Sequence, residues 1–462
     1  MRNFVTLFSA FMLISLVVTS CKKDITETDS KSAPVSSYDN TLVHEWNDLF
    51  LTVERYAPGY APCPAANAVG YIGFANYEAV VSGMPDFKSL ATRYSGLSIP
   101  STLENQEYHW PSVINAVNNY IYLRLFPEVD AKYTDAIKTL YNKYEQEYSK
   151  EVSSEVYLRS KLHGEAVAKA VWDWFKTDSY TFEGYKKVFD GYNWQDRANE
   201  PGAWTPTLPG PTDGKYPLWG KGRPFAITED QKLCKPYTSY AKYSEDPTSA
   251  FYSAAVTVVD KNKNGLSYVD QSIAEFWSDD NPNLTFSPPA RWLAIADQIY
   301  VNENVNLETA IYANAKVGLA LHDAAIGAWN SKYYYNLVRP VTYINKLMNA
   351  TWETNLSNPT TGIKSITPAF PSYPSGHATF SASAAEVLSD IFGYAYSMTD
   401  NCHKDRTEFI GTPRSFNNLY EMAEENAYSR VPLGVHFDFD SVEGRQYGQR
   451  IGQVVNKLPW KK

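Results

Sequence analysis

Three short stretches in the last third of the sequence carry residue types that could do chemistry. Lys332 and Arg339 stand seven positions apart, a spacing that on a continuous helix brings two cations to nearly one face, with Pro340 ending that helix. Pro374-Ser375-Gly376-His377 sets a hydroxyl, a residue without a side chain and an imidazole in a turn. Behind it Phe380, Ala384, Val387, Leu388 and Ile391 repeat at the spacing of one helix face. The free N–H groups and positive dipole end of such a helix favour an anion. Ser429-Arg430, then His436 and Asp440, supply a third cation, a second imidazole and a carboxylate. Singly, these residues read as solvated cations, a helix cap and a core histidine. Together they describe a pocket that binds a tetrahedral oxyanion through charge-assisted hydrogen bonds.

The elements that must position these groups read as all-α, in two helical bundles packed together. Helical periodicity runs from Leu42 to about residue 185, as in VINAVNNYIYLRLF and SKLHGEAVAKAVWDWF. Residues 190–245 break it with PGAWTPTLPG and YPLWGKGRPF, which suit a long ordered loop over the surface. Helical patterning returns at about Val269 and continues to the end. The expected division is a leader at 1–20, a flexible tether at 21–41, an N-terminal helical half at 42–245 and a C-terminal bundle at 246–462 that carries the oxyanion site. Two segments, ANAVGYIGFANYEAVV from Ala66 and ANAKVGLALHDAAIGAW from Ala313, are alike in small residues, which lets helices approach closely and fits a duplicated bundle. The loop Asp260–Gln271 begins like a calcium loop, but Gln271 stands where a bidentate glutamate is needed, so a plain turn is expected.

The chain has 462 residues, 44% of them hydrophobic, enough for a substantial core. Its basic start, apolar run and Val18-Thr19-Ser20-Cys21 read as a bacterial lipoprotein signal, with lipid on Cys21 as the membrane tether, in the cell envelope on either the periplasmic or the outer face. After Cys21 no uncharged apolar run approaches the roughly 20 residues of a spanning helix. A net charge of −9 without a basic run argues against nucleic acid as a partner. Cys63, Cys234 and Cys402 have no metal-binding or disulfide pattern and read as core thiols, with one bridge conceivable.

The series Lys332-x6-Arg339-Pro340, Pro374-Ser375-Gly376-His377 and Ser429-Arg430-x5-His436-x3-Asp440 resembles the signature of the superfamily of vanadium-dependent haloperoxidases and type 2 phosphatidic acid phosphatases. The surrounding segments, over roughly residues 65–455, look like the bacterial haloperoxidase-related group. The resemblance implies that Lys332, Arg339 and Arg430 clamp the anion, that the Ser375 hydroxyl and Gly376 N–H bind its oxygens, and that His377 is the acid–base group. It further implies that His436 bonds the central atom (vanadium or phosphorus), that Asp440 orients His436, that Phe370 lines the halide side, and that Asp280, with Asp279 close behind, pairs with Arg430. Vanadate and phosphate share charge and shape, so one pocket serves two chemistries. The implied function is vanadate-dependent oxidation of halide by hydrogen peroxide, with phosphate as a competing anion. The alternative is a soluble acid phosphatase that acts on a phosphomonoester through a phosphohistidine at His436, and an anion-binding protein without turnover is a third reading.

Overall fold

The computed structural model describes residues 32–237, 240–262 and 265–462; the leader, Cys21 and the middle of the Asp260–Gln271 loop lie outside the described residues. The helices are α1 (Thr41–Tyr56), α2 (Cys63–Val80), α3 (Trp110–Leu125), α4 (Ala131–Glu151), α5 (Ser154–Phe175), α6 (Ala250–Asn262), α7 (Tyr268–Phe276), α8 (Pro288–Asn302), α9 (Leu307–Tyr335), α10 (Pro340–Leu347), α11 (Gly376–Phe392), α12 (Leu419–Tyr428) and α13 (Asp438–Asn456). Among the described residues the only sheet is the antiparallel pair β1 (Met398–Asp400) and β2 (Arg414–Phe416), so the chain is all-α, as expected.

The two segments rich in small residues lie on α2 and α9 and pack against each other. A Cβ at Gly318 would sit 2.5 Å from the Val69 carbonyl oxygen, and one at Gly73 would sit 2.7 Å from that of Asn314, so the backbones touch where side chains are missing. The opposite side of α9 meets α11 and α13, which makes it the helix common to both halves. That position explains why α9 is buried on all sides rather than along a stripe. α11 is also buried nearly throughout, not on one face, from Gly376 to Ser389. Most of the polar residues it carries are small, and Ser383 donates to the Phe380 carbonyl at 2.9 Å, while the buried Glu386 accepts from Tyr394 and Tyr420. Gly444 and Gly448 admit α13 against it, where added Cβ atoms would lie 2.8 Å from the Ser375 oxygen and 2.2 Å from the Thr379 oxygen.

Four expectations need correction. The tether does not extend to residue 41: Val35 is buried, the Ser32 hydroxyl accepts from the Tyr108 N–H at 2.8 Å, and the Trp110 indole donates to the Ala33 carbonyl at 2.8 Å. The stretch thus packs against the segment that leads into α3, although Ser37 and Asp39 still face water. The described part of the 190–245 segment is not simply a surface strap, since Trp204, Trp219 and Cys234 are buried. It is held from beneath by the buried Asp323 of α9, whose carboxylate accepts the N–H groups of Phe225, Ala226 and Ile227 at 2.7, 2.7 and 2.9 Å. Helix resumes at Ala250 rather than Val269, with Phe251, Ala255 and Val258 buried at helical spacing. Lys332 and Arg339 do not share a helix: Asn336 adopts the left-handed conformation (φ 51°) that closes α9, and Pro340 opens α10. No disulfide joins the cysteines among the described residues; Cys63 and Cys234 are buried thiols and Cys402 is partly exposed.

Candidate oxyanion site

Five pieces of chain deliver the groups singled out by spacing. α9 contributes Lys332 from its last turn, the turn to α10 contributes Arg339, the N-terminus of α11 contributes Ser375, Gly376 and His377, the turn after α12 contributes Arg430, and the start of α13 contributes His436 and Asp440. The Ser375 N–H donates to the Asp440 carbonyl at 3.0 Å, which ties the starts of α11 and α13 together. A cavity of about 330 Å³ opens over them, with Trp329, Phe370, Gly376, His377, Arg430 and His436 in its wall.

The cations are fully buried. Lys332 Nζ donates to the carbonyls of Pro371 and Ser372 at 3.0 and 2.9 Å, and Arg339 donates from Nε to the Phe370 carbonyl at 2.8 Å and from Nη1 to that of Val435 at 2.7 Å. Both stand over the Phe370 ring, 4.9 and 5.1 Å from its centroid. Arg430 Nη2 lies 2.7 Å from Asp280 Oδ2. Asp279, the neighbouring candidate, turns to His403 and Arg291 at 3.3 and 3.5 Å, which assigns the Arg430 pairing to Asp280. Arg339 Nη2 and Arg430 Nε and Nη1 are buried with no hydrogen-bond partner among the described residues. Burial, with Arg339 beside it, pulls Lys332 far below the usual lysine range, and burial pulls Arg339 down to about 9. Cations crowded together without enough counter-charge, and with donors unspent, fit an anion such as vanadate or phosphate.

The two imidazoles differ in their surroundings. His436 Nδ1 lies 2.9 Å from Asp440 Oδ2, which makes it the protonated nitrogen and leaves Nε2 as the acceptor, 3.1 Å from Arg339 Nη1. Burial first, then Arg339, Lys332 and Arg430, holds its pKa well below the usual histidine value, so the ring is neutral with a lone pair on Nε2. Asp440 also accepts the Ser372 hydroxyl and the Phe437 N–H, while burial raises its carboxyl to about 6. His377 Nε2 is buried, 3.8 Å from Asp280 Oδ2, and has no hydrogen-bond partner among the described residues. Burial and then Arg430 lower its pKa to about 4, leaving a neutral base at neutral pH.

Ser375 caps α11 by accepting the Ala378 N–H at 3.4 Å, which leaves its hydroxyl proton to donate. A Cβ at Gly376 would meet the Trp329 ring at 3.5 Å and the Phe380 ring at 3.8 Å, both ordinary contacts, so packing does not demand glycine there; the cavity it lines gives the reason, because a bare Cα lets an oxygen reach the N–H. Ser372 and Trp329 were not found from spacing. Ser372 lies three residues before Ser375 in the same turn, but nothing in its type distinguishes it from a loop serine.

The family model described as the second helical-bundle domain of vanadium chloroperoxidase matches residues 313–459. Vanadium chloroperoxidase of Curvularia inaequalis is 24% identical over 330 residues, 57% of this chain and 53% of that one. Vanadium-dependent bromoperoxidase of Ascophyllum nodosum is 26% identical over 151 residues, 29% of this chain and 27% of that one. The chain thus spans about half the length of the first of these relatives and about a quarter of the second. Among solved structures, a bacterial vanadium-dependent iodoperoxidase superposes with a TM-score of 0.79 at 27% identity, over 91% of this chain and 97% of that one. The holo form of a bacterial vanadium-dependent chloroperoxidase shares the fold, with a TM-score of 0.61 at 16% identity over 87% of this chain and 92% of that one. With Gly376, His377, Arg430 and His436 lining one cavity inside this fold, and Lys332, Arg339 and Ser375 buried behind them, the chain belongs to the superfamily of the vanadium-dependent haloperoxidases and type 2 phosphatidic acid phosphatases.

Proposed function

We propose that the chain is a vanadate-dependent haloperoxidase. The observation that carries this reading is likeness to the bacterial iodoperoxidase across 91% of the chain, including the helices that hold none of the anion ligands. Lys332, Arg339, Arg430, Ser375 and Gly376 would hold vanadate, with His436 as the ligand to vanadium. Bound there, vanadate supplies a Lewis acid that activates hydrogen peroxide toward attack by halide. The chain's own part is charge and proton management. Asp440 keeps the His436 proton on Nδ1 and so keeps Nε2 available. The neutral His377 Nε2 takes a proton from incoming peroxide and returns it to the oxygen that leaves. The three cations balance the charge on the anion, and the rings of Trp329 and Phe370, 5.0 Å apart, form the aromatic side of the cavity.

A second reading has its own support. A neutral imidazole oriented by a carboxylate is also what a phosphohistidine mechanism needs, so a phosphomonoesterase with His377 as the acid for the leaving group remains the alternative. The N-terminal sequence supports lipid attachment at Cys21 and residence in the cell envelope, which labelling with a fatty acid and loss of label in Cys21→Ala would test. For the reaction, protein loaded with orthovanadate and dialysed is analysed for metal, then assayed for peroxide-dependent oxidation of iodide and bromide and for phosphomonoester hydrolysis. Vanadium near one per chain, with halide oxidation that drops about 10²–10⁴-fold in His377→Ala, is the expected result. Hydrolysis without halide oxidation would transfer the assignment to the phosphatase.

A further inference from the structure

The cavity is larger than one tetrahedral anion requires, and at about 330 Å³ it lies at the lower end of the range for small-molecule sites. Above the anion-facing groups its wall is mostly apolar, with Pro62, Leu356, Ile363, Ile366 and Phe380 among the residues facing it beside the polar Asn358, Thr361 and Thr367. One further cation stands in that wall. Lys215 comes from the long loop, which is fixed here on both sides: the Lys215 N–H donates to the Ala369 carbonyl at 2.8 Å, and its own carbonyl accepts from the Trp329 indole at 3.2 Å and from the Tyr333 hydroxyl at 2.7 Å. The side chain is treated differently. Among the described residues no carboxylate pairs with its ammonium and no acceptor takes its protons, although the residue is only partly exposed and burial lowers its pKa.

Lys332, Arg339 and Arg430 already face Asp280 and Asp440, and a bound tetrahedral anion would complete their neutralisation. Lys215 would then be left as a positive charge in an apolar vestibule, an arrangement that is costly unless a second anion meets it. A preformed, rigid backbone under an unpaired ammonium is the form of a recognition point rather than of a structural ion pair.

We propose that the vestibule seats an organic carboxylate with an apolar body, the acceptor of the oxidised halogen, with its carboxylate on the Lys215 ammonium. The inference deepens the haloperoxidase reading by naming the class of its organic substrate. Lys215 is then a specificity residue: it selects among acceptors and leaves the tetrahedral anion to the other three cations.

The test measures binding rather than turnover, so it stands apart from the reaction assigned to the site. Protein with its inner site saturated by inorganic phosphate is titrated by calorimetry with 4-hydroxybenzoate, with its neutral analogue 4-hydroxybenzyl alcohol and with bromide. Wild type is expected to bind the carboxylate about 10–100-fold more tightly than the alcohol, the range of one charge-assisted hydrogen bond. Lys215→Met removes that preference, Lys215→Arg retains most of it, and phosphate affinity is unchanged in both, which also reports that the variants are folded. A carboxylate preference that survives in Lys215→Met overturns the proposal, as does a loss of phosphate affinity in that variant, which would place Lys215 in the tetrahedral site. Lys215-dependent binding of bromide without Lys215-dependent binding of the carboxylate would overturn the organic assignment in favour of the halide.

Discussion

Filling the site with a tetrahedral dianion should load a proton onto His377. In the anion-free protein that ring has a pKa of about 4 because it is buried beside Arg430, so at pH 6 it is about 1% protonated. An anion at hydrogen-bond distance reverses the second cause. One unit of charge about 4 Å away is worth about 4 kcal/mol at an effective dielectric constant near 20, whereas returning the pKa to its ordinary value takes about 3 kcal/mol. The field of the anion is therefore sufficient, and about 0.7 proton or more should be taken up per anion at pH 6. Because the bound state holds the extra proton, affinity must strengthen as pH falls, by up to tenfold per unit between the raised pKa and about 4. Sulfate is the suitable probe because it stays a dianion over this range. Calorimetry in two buffers with different ionisation heats counts the protons directly. Asp440, held at about 6, contributes to the count in wild type and in His377→Ala alike, so the difference between the two proteins isolates His377. Equal proton uptake by the two would refute the acid–base assignment of that ring.

Three further substitutions separate roles. His436→Ala should keep sulfate affinity within about tenfold, because the three cations and the α11 N-terminus remain, yet form no phosphoenzyme that survives an alkaline quench and retain no vanadium after dialysis. Gly318→Ala puts a methyl group 2.5 Å from the Val69 carbonyl, backbone against backbone, and should lower stability by about 1–3 kcal/mol in urea unfolding, whereas an unchanged midpoint would mean that α2 and α9 are less tightly apposed. Asp323→Ala strips three N–H groups of their common acceptor and should lower stability by about 3 kcal/mol or more, with new protease cleavage near residues 223–228 as the local readout.

The parts of the site legible in the sequence were those whose chemistry depends on residue type at fixed local spacing. Ser375-Gly376-His377 reads as a helix start because the capping serine and the anion-binding N–H groups belong to the same turn. His436 and Asp440 are four apart across the start of α13, where the extended N-cap Phe437 sets His436 beside the first turn and the two side chains meet at 2.9 Å. Lys332 and Arg339 do come close to the other groups, but not by the expected geometry. A period of seven suits one helix, while Asn336 in the left-handed conformation breaks it, and asparagine in an otherwise helical run is a weak warning. Asp280 and Asp279 could not be separated by sequence, since only the tertiary positions of Arg430 and Arg291 distinguish them. The buried course of residues 190–245 was hidden for a similar reason: prolines and glycines mark the absence of helix, but Asp323, which carries the segment inward, lies about a hundred residues away. Lys215 sits in that same stretch and gave no local sign of facing a cavity.

The origin of the cavity wall has a consequence for how this protein could diversify. The groups proposed to grip the anion come from 332–440, and although Leu356, Ile363, Ile366 and Phe380 of the vestibule share that stretch, Pro62 and Lys215 come from the other half of the chain. The two jobs can therefore drift apart under mutation. Exchanges around 61–62 and 210–215 would retune what is admitted next to a reactive centre whose own ligands stay as they are, and a library confined to those two segments could explore new acceptors without revisiting the chemistry.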